Sequence, residues 1–420
     1  STQFKFRFFK VNRLILQLLV YVTSREPCTM KLEQIKNISS LLNLRPNQKV
    51  LGYKIKPLTA PGENYGSLML NAQISLESDE LNVVIKMVPP SEFLRELFNI
   101  QVTFRNEVAF YKNIVPLLQN FQREHGVENV IDFFPEYYGS RLNLIGDEKV
   151  DLDAALVLEN LKIKNYITME RTEGLGLDVA KLIIKDLAYF HAVPLALRLQ
   201  KPDVFDKEIK PYLSTWLPLE DGHSNMKAQL DIIINQVEEV SKFRDRILKG
   251  FDMEMVPHDP GDLFATLTHN DCWTNNNMIK FEGNKPVKNK LVDYQVCDYG
   301  SPARDVVFFI FSSVKSDIIE KYYDSLVLLY HDTFISVLTE LCCDIEPFTL
   351  TALKKELDFE ARNSEFAHVM FMLFVMFAPK QSAKEMSEVT PESMVASEIT
   401  DLFKQRLIFV VNEFVKRDWI

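Results

Sequence analysis

The sequence predicts an α+β protein in two lobes, a small antiparallel sheet followed by a mainly helical region. Strand-like runs separated by turns occupy residues 50–88. From Leu177 onward, most apolar residues recur at helical spacing. One short strand pair, "NMIKF" and "KLVDYQ", interrupts those helices. The change from strands to helices places the boundary between the lobes near residue 160.

The elements of the first lobe follow one another in a simple order. "VLGYKI", "SLMLNAQISL" and "LNVVIKMV" are strand-like and are separated by the turn-rich "PLTAPGENYG" and the acidic "ESDE". A helix is expected from about Glu92 to Phe121, and then a hairpin made by "DFFPEYYGSRLNL" and "AALVLENL". The predicted organisation is an extension of uncertain status at 1–29, a first lobe at 30–160 and a second lobe at 161–420.

The second lobe is expected to contain long helices. "LDVAKLIIKDLAYFHA", "MKAQLDIIINQVEEVSKFRDRILK" and the stretches after Ile318 all have helical apolar spacing. No internal repeat or low-complexity tract breaks the pattern.

Composition narrows the class of protein. The 420 residues are 47% hydrophobic and 25% charged, as in ordinary globular proteins. A net charge of -10 argues against a nucleic-acid partner. The five cysteines form no CxxC pair and no even set, so neither a disulfide framework nor a structural zinc site is expected. We expect reduced thiols, a cytoplasmic location and no obligate protein partner.

The N-terminal segment has its own character. "FKFRFFKVNRLILQLLVYV" is basic and then apolar, like the first two regions of a signal sequence. Its apolar part, Leu14 to Val22, contains Gln17 and is too short to span a bilayer. Three interpretations stay open: a targeting or anchoring segment, an amphipathic first helix, or residues upstream of a natural start near Met30. The sequence elsewhere contains no apolar run long enough to cross a membrane.

The chemically richest stretch is "HNDCWTNNNMIKF", which begins at His269. A hairpin connected by "EGNKPVKN" would bring Asn276 beside Asp293, although they are 17 positions apart. Amide and carboxylate oxygens are ligands that Mg²⁺ accepts. Asp271, five residues before Asn276, is placed to accept a proton from a hydroxyl. This spacing is typical of a kinase catalytic loop and its metal-binding aspartate.

A buried lysine supplies the second part of the predicted site. Lys86 lies inside the apolar strand "VVIKMV", where an unpaired ammonium would lose its hydration. Glu107 shares an apolar helix face with Phe104 and Tyr111, so its carboxylate also needs a partner. Pairing Lys86 with Glu107 would satisfy both groups and leave the ammonium directed at phosphates.

Two further segments are candidates for nucleotide contact. The glycines of "APGENYGS", 60–67, permit close approach of the backbone to phosphates, but no GK[ST] follows, so this is not a P-loop. "LVLENL", 156–161, is a candidate for meeting an adenine through its backbone. The predicted nucleotide-binding residues are Asn64, Tyr65, Ser67, Lys86, Glu159, Asn160 and Leu161.

Together these motifs resemble the ecdysteroid kinase-like proteins of insects, relatives of choline and aminoglycoside kinases with a protein-kinase-like fold. The resemblance covers roughly residues 40–415 and rests on "ENYGS", "FRNEVAFY", "LVLENL", "HNDCWTNNNMIKF" and "VDYQVCDYGSPARDVVFFIFSS". It implies that Asp271 is the catalytic base, that Asn276 and Asp293 bind magnesium, and that Lys86, held by Glu107, contacts ATP. It also implies that residues 159–161 border the adenine.

Three positions depart from the family pattern. Asn270 replaces a usual glycine, and asparagine is among the better substitutes where the backbone angle is unusual. Asn277 replaces a common apolar residue, and Tyr294 replaces a usual phenylalanine. None of these changes removes a reactive group.

Other polar residues near the motifs are assigned structural roles. Trp273 either packs under the loop or borders the substrate. His269 is expected to brace the loop, His191 to be a helix-end or core histidine, Asp305 to anchor the catalytic loop, Asp298 to be a solvated acid, and Cys342 and Cys343 to be buried thiols on a helix.

The predicted activity is an ATP- and magnesium-dependent kinase that phosphorylates a small-molecule alcohol. The resemblance implies a lipophilic acceptor, an ecdysteroid or a hydroxylated xenobiotic. The apolar "VVFFIFSS" and "FAHVMFMLFVMFAP" suit either a lipophilic pocket or a buried core. Few residues separate Asp293 from "YGSPARD", which leaves little room to dock a peptide. Two alternatives stay open: a choline- or aminoglycoside-type kinase for a cationic acceptor, and a non-catalytic hormone- or lipid-binding protein on a kinase scaffold.

Overall fold

The structure is a computed structural model, and its described residues are 35–45, 48–58, 66–146, 148–213, 220–252, 262–378 and 399–420, with backbone alone for 220–226. The predictions for 1–29, Asn64 and Tyr65 lie outside these residues.

The first lobe is built on a five-stranded antiparallel sheet of order β1-β2-β3-β5-β4. The strand Leu68–Leu76 alternates between buried and less buried positions, whereas the strand Ala155–Glu159 is buried at every position. The predicted hairpin is present, with β4 paired to β5. The bounds are β1 Val50–Pro57, β2 Leu68–Leu76, β3 Glu80–Met87, β4 Tyr137–Arg141 and β5 Ala155–Glu159.

Both faces of this sheet are covered. One face, with Ile74 and Ile85, packs on the short helix α1, Ile38–Leu41. The other face, with Leu156 and Leu158, joins the large apolar cluster that fills the helical region. The sheet is therefore continuous with the core of the second lobe.

The helical stretch predicted from Glu92 to Phe121 is interrupted. Helix α2, Glu92–Leu97, ends before Asn99, which has a left-handed backbone (φ 45°). The chain then forms α3, Ile100–Ala109, a π-helical turn, Phe110–Ile114, and α4, Val115–Glu124. Asparagine tolerates the left-handed region, which explains why the break falls there.

The second lobe is mainly helical, which confirms the two-lobed α+β prediction; the lobe division at residue 160 stays a prediction. Its longest described helices, with 24 and 25 residues, are α5 and α11. The helices are α5 Leu177–Gln200, α6 Pro202–Glu208, α7 Glu220–Gln236, α8 Glu238–Ser241, α9 Arg244–Phe251, α10 Ala303–Ser313, α11 Ser316–Glu340, α12 Leu350–Glu360, α13 Phe366–Met376 and α14 Asp401–Lys416, with a π-helical turn, Ala361–Glu365, between α12 and α13.

Two small sheets lie among these helices, where we expected one strand pair. β6, β8 and β9 form a three-stranded sheet, and β7 pairs with β10. The predicted connection "EGNKPVKN" is wrong, because Gly283 (φ 59°) makes a tight turn and β9 already begins at Lys285. The strands are β6 Tyr166–Thr168, β7 Thr266–Thr268, β8 Asn277–Glu282, β9 Lys285–Leu291 and β10 Asp298–Gly300.

The stretch "MKAQLDIIINQVEEVSKFRDRILK", for which helical spacing was predicted, lies in three successive helices, α7, α8 and α9. Val237 has an extended backbone (φ -114°, ψ 95°) that ends the first of them. No described helix is long and apolar enough to span a membrane.

Candidate active site

The loop at residues 269–276, which we predict to be the catalytic loop, leaves β7 and is held at its start by Asp305. Its carboxylate accepts hydrogen bonds from the backbone N–H of His269 (2.6 Å) and of Asn270 (2.7 Å). His191 Nε2 lies 2.9 Å from the same carboxylate. Asn270 has φ 60°, the unusual angle for which asparagine substitutes well. The structure thus places Asp305 as the anchor of this loop.

His269 braces the loop from inside and is fully buried. Its Nδ1 accepts the N–H of Asp271 (3.2 Å), so its Nε2 is the donor to the carbonyl of Val292 (3.1 Å). Burial lowers the pKa of His269, which favours this neutral form. The ring therefore joins the loop to the end of the hairpin.

Asp271 and Asn276 are in direct contact. The Asn276 amide donates to the Asp271 carboxylate (2.7 Å) and to its carbonyl (2.8 Å). The carbonyl of Trp273 accepts the backbone N–H of Asn276 (3.0 Å), which closes the 3₁₀ turn Thr274–Asn276. This turn brings a residue five positions further on back to the acid.

Asp271 lies in an environment that makes its carboxyl more basic. Burial is the largest cause of its raised pKa, and the nearby charge of Asp293 raises it further, while the bond from Asn276 opposes the shift. A carboxylate with a raised pKa is a stronger proton acceptor once it is ionised.

Asp293 follows β9 and lies beside the catalytic loop. β9 ends at Leu291, and the N–H of Val292 donates to the carbonyl of Asn276 (2.9 Å). Asp293 itself has a left-handed backbone (φ 70°) and is not part of the strand. The hairpin therefore brings Asn276 and Asp293 together, as we expected from their spacing.

Lys86 connects the two lobes. Its ammonium lies 2.6 Å from Glu107 Oε2 and 2.8 Å from Asp293 Oδ1. The Lys86 and Glu107 side chains are 4% and 1% exposed, whereas that of Asp293 is 21% exposed. The predicted Lys86–Glu107 pair is present, and Asp293 is the third member that faces solvent.

The charges of Lys86, Glu107 and Asp293 shift the pKa values of Lys86 and Glu107. Burial opposes the charge on Lys86, but the two carboxylates outweigh it and raise its pKa. Burial raises the pKa of Glu107, and the charge of Asp293 adds to this against the opposing effect of Lys86. Lys86 is thus held as a cation, and the raised pKa of Glu107 makes it easier to protonate than an ordinary glutamate.

An aromatic cluster, Phe110, Tyr111, Tyr294 and His269, lies behind the charged trio. The rings of Phe110 and Tyr294 are stacked, with centroids 3.8 Å apart and planes at 10°. Tyr111 and His269 meet Tyr294 at 5.5 and 5.0 Å. The Tyr294 hydroxyl donates to the carbonyl of Leu291 (3.1 Å), which explains why tyrosine is tolerated there. Sequence reasoning missed Phe110, although its spacing three residues after Glu107 was the available signal.

The segment predicted to border adenine has its side chains engaged. Glu159 accepts the backbone N–H of Glu136 (3.2 Å) and pairs with Lys164. The Asn160 oxygen accepts the N–H of Lys162 (3.2 Å). Leu161 and Ser67 are buried. The Glu159 N–H also donates to the Glu136 carbonyl (2.9 Å), and the Leu161 carbonyl accepts the N–H of Asn165. An adenine contact at Glu159 to Leu161 stays a prediction.

Two assignments from the sequence are wrong. Asp298 is buried rather than solvated, with its carboxylate 3.9 Å from Arg304, because its β10 pairs with β7. Cys342 is exposed and Cys343 half-buried, because α11 ends at Glu340 and Cys342 turns into the left-handed region (φ 59°). Trp273, for which two positions stayed open, is buried and part of the core.

The sheet, the Lys86–Glu107 pair and the Asp271–Asn276–Asp293 cluster define a kinase-like fold and the type of site found in small-molecule kinases. The sequence profile of the ecdysteroid kinase-like family matches residues 61–343. The chain belongs to the ecdysteroid kinase-like family. This match is narrower than the range of 40–415 expected from the motifs.

Comparison with solved structures gives distant likenesses. An ethanolamine kinase from Plasmodium vivax has 10% identity and a TM-score of 0.41, covering 88% of this chain and 84% of that one. A choline kinase from Cryptosporidium parvum has 11% identity and a TM-score of 0.43, covering 88% and 91%. Likenesses this distant carry no argument about activity. Among curated proteins, no match to the chain was found.

Proposed function

We propose that this protein is an ATP- and magnesium-dependent kinase that transfers the γ-phosphoryl group to the hydroxyl of a lipophilic small molecule. The observation that carries the proposal is the single cluster in which Lys86 contacts Glu107 and Asp293 while Asn276 contacts Asp271. Family membership supports phosphotransfer and suggests an ecdysteroid or a hydroxylated xenobiotic as the acceptor.

The roles follow from the chemistry of each group. Asp271 would orient the acceptor hydroxyl and take its proton, as its raised pKa favours. Lys86 would contact the phosphates with an ammonium that Glu107 and Asp293 hold in place. The acceptor's hydroxyl oxygen, whose proton goes to Asp271, would form the new bond to the γ-phosphorus, while the bond between that phosphorus and the β,γ-bridging oxygen breaks and ADP leaves with its electron pair.

The donor set at the cleft suits a magnesium ion. Asn276 uses its NH₂ on Asp271, so its amide oxygen is the atom that would meet a cation, beside the Asp293 carboxylate. Oxygen donors of this number fit magnesium, which keeps several waters and takes the rest of its ligands from phosphates. When bound, the ion would neutralise charge on the transferring phosphates.

The apolar stretch "VVFFIFSS" does not support a particular acceptor. Residues 306–313 are buried within α10 and belong to the core. The lipophilic acceptor therefore rests on family membership alone. A cytoplasmic location fits the four free cysteines of the described residues. The absence of an obligate protein partner stays an expectation from the sequence.

A turnover assay tests the proposal. Purified protein is incubated with ATP and Mg²⁺ and a panel of steroid and plant-derived alcohols, together with choline and an aminoglycoside, and ADP and phosphorylated product are measured. We expect product with a lipophilic alcohol. Product formed with choline or the aminoglycoside alone would favour the cationic-acceptor alternative, and no turnover with any acceptor would favour the non-catalytic one.

Two variants assign the roles. Asp271→Ala should keep the thermal shift caused by ATP and Mg²⁺ but lose transfer. Asp293→Ala should lose the magnesium-dependent part of that shift. Asp178→Ala, at an exposed position of α5, is the matched control. Unchanged transfer in Asp271→Ala would refute its role as the base.

A further inference from the structure

A chain of polar side chains, two of them buried and the first half-buried, runs from α5 to the catalytic loop. Asn289 on β9 donates its amide to Asp186 Oδ2 on α5 (3.1 Å) and to Asn277 Oδ1 on β8 (3.1 Å). Asn277 in turn donates to the carbonyl of Trp273 (2.9 Å). Asn277 and Asn289 are 1% and 4% exposed. We call Asp186, Asn289 and Asn277 the amide relay.

The relay ends at the atom that shapes the catalytic loop. The Trp273 carbonyl also accepts the backbone N–H of Asn276 (3.0 Å), the bond that closes the 3₁₀ turn. That turn sets the position from which Asn276 contacts Asp271 at 2.7 Å. Only two hydrogen bonds, from Asn276 to the Trp273 carbonyl and from Asn276 to Asp271, therefore separate the relay from the proposed base.

The relay needs an explanation because a buried amide pair is costly. Placing two asparagines in a core desolvates their amides, and Asn289 Oδ1 has no hydrogen-bond partner among the described residues. An apolar pair would fill the same space without this cost. The cost is explained if the two amides orient the Trp273 carbonyl through the hydrogen bond from Asn277, since an apolar pair could not form that bond.

The relay is also the second of two connections from one helix. α5 holds the loop before Asp271 through His191 and Asp305, and it holds the loop after Trp273 through Asp186. Asp271, the proposed base, is thus held from both sides by contacts that begin on α5.

We propose that Asp186 is a positioning residue for the reaction, acting through Asn289 and Asn277 on the turn that holds Asn276 against Asp271. The inference rests on the proposed kinase function for its catalytic consequence. Its structural consequence, a firmer Thr274–Asn276 turn, does not depend on that function.

The charge of Asp186 makes this tether sensitive to pH. Burial raises the pKa of Asp186 to about 7, against the hydrogen bond from Asn289. The charged groups that face it are Asp132, Lys290 and Lys185, and it lies near the titratable side chains of Tyr189, Cys272 and Tyr294. A charged acceptor makes the stronger hydrogen bond, so the tether is firmest above the pKa and weakens as Asp186 gains a proton.

The activity test uses Asp186→Asn and Asn277→Leu, with Asp178→Asn as the control that removes the same charge from an exposed position of the same helix. Misplacing a reacting group by about 1 Å costs up to ~100-fold, so we expect Asn277→Leu to lower kcat by roughly 10- to 100-fold with a smaller change in KM for ATP. Asp186→Asn should lower kcat less. In the wild type and in Asp178→Asn, part of the rise of kcat near pH 7 should come from the ionisation of Asp186. Asp186→Asn should lack that part of the rise.

The double variant Asp186→Asn/Asn277→Leu decides whether the residues act as one chain. If they do, the double variant loses little more than Asn277→Leu alone, because residues in one network are not additive. Additive losses, or the same loss in Asp178→Asn, would overturn the proposal.

Hydrogen exchange separates failure of this inference from failure of the proposed function. Without ATP or acceptor, the backbone N–H of Asn276 should exchange faster in Asn277→Leu and in Asp186→Asn than in Asp178→Asn at pH 8. The backbone N–H groups of β3 should exchange at the same rate in all three variants. If the wild-type protein shows no turnover, the kinase proposal is rejected, but the hydrogen-exchange comparison still tests the relay. Equal protection of Asn276 in all three variants would reject the relay.

Discussion

At the scale of single residues, the site depends on one cation shared by two acids. Lys86 is held within 2.8 Å of both Glu107 and Asp293. Glu107 is almost fully buried, so it needs the lysine more than the partly exposed Asp293 does. Removing the cation leaves an uncompensated carboxylate in the core, a change that typically costs about 3–5 kcal/mol.

Lys86→Met keeps the volume and removes the charge. We expect transfer to fall by roughly 100- to 1,000-fold, the usual loss when a group stabilising the transition state is removed. The free energy of unfolding should also fall, and by more at pH 8 than at pH 6. Glu107 has a pKa raised above 4.5, so its ionisation costs stability as the pH rises, and the loss of Lys86 increases that cost.

ADP release and urea unfolding at the two pH values measure these effects. Lys181→Met, on the exposed surface of α5, is the matched control. A destabilisation that is equal at pH 6 and pH 8 would contradict the assignment of Glu107 as the titrating partner.

At the scale of elements, α10 fixes the catalytic loop through Asp305 in its first turn. The carboxylate accepts two backbone N–H groups and contacts His191 on α5. Burial alone would raise the pKa of Asp305, but its hydrogen bond and electrostatic interaction with His191 and its contacts with His269 keep that pKa below its usual value. The ionised form is therefore part of the folded structure.

Asp305→Asn should lower the free energy of unfolding by about 3 kcal/mol at pH 7, since it removes a buried charge from its partners. The pKa of Asp305 is lower in the folded state, so its stabilisation is present above 3.8 and is lost as the pH falls through the folded value. The gap between wild type and variant should narrow below pH 3.8. Urea unfolding checks this, with exposed Asp332→Asn as the control. A gap that does not change with pH would contradict the prediction.

At the scale of the whole molecule, one large apolar cluster includes residues from both lobes. Leu156 and Leu158 of the sheet and Phe104 of α3 belong to the same cluster as the core of α5 and α10. Only the outer face of the sheet, toward α1, has a core of its own among the described residues. The lobes should therefore unfold together.

Pulsed hydrogen exchange in increasing urea measures this cooperativity. Peptides from β2–β3, residues 68–87, and from α5, residues 177–200, should lose protection at the same urea concentration. Gly139→Ala is a useful probe, because a Cβ there would lie 2.0 Å from the carbonyl of Leu41 and would displace α1 from the sheet. It should lower both midpoints equally; loss of the sheet at lower urea would show two independent units.

Much of the site could be predicted from the order of residues along the chain. A lysine inside an apolar strand and a glutamate on an apolar helix face each require a partner, so Lys86 and Glu107 predicted one another. The spacing of Asp271, Asn276 and Asp293 around a hairpin predicted that Asn276 and Asp293 would converge. The roles of these residues in catalysis stay predictions until activity is measured.

Other features depended on contacts that no local pattern contains. Asp298 looked like a solvated acid, but pairing of β10 with β7 buries it. The relay of Asp186, Asn289 and Asn277 joins three elements up to 103 positions apart. Periodicity and desolvation are properties of each segment, so the sequence was enough to predict the main strands of the first lobe, the mainly helical second lobe and the buried charges Lys86 and Glu107 that need partners. Only the tertiary structure decided which partners they find, because those contacts depend on how distant elements pack together.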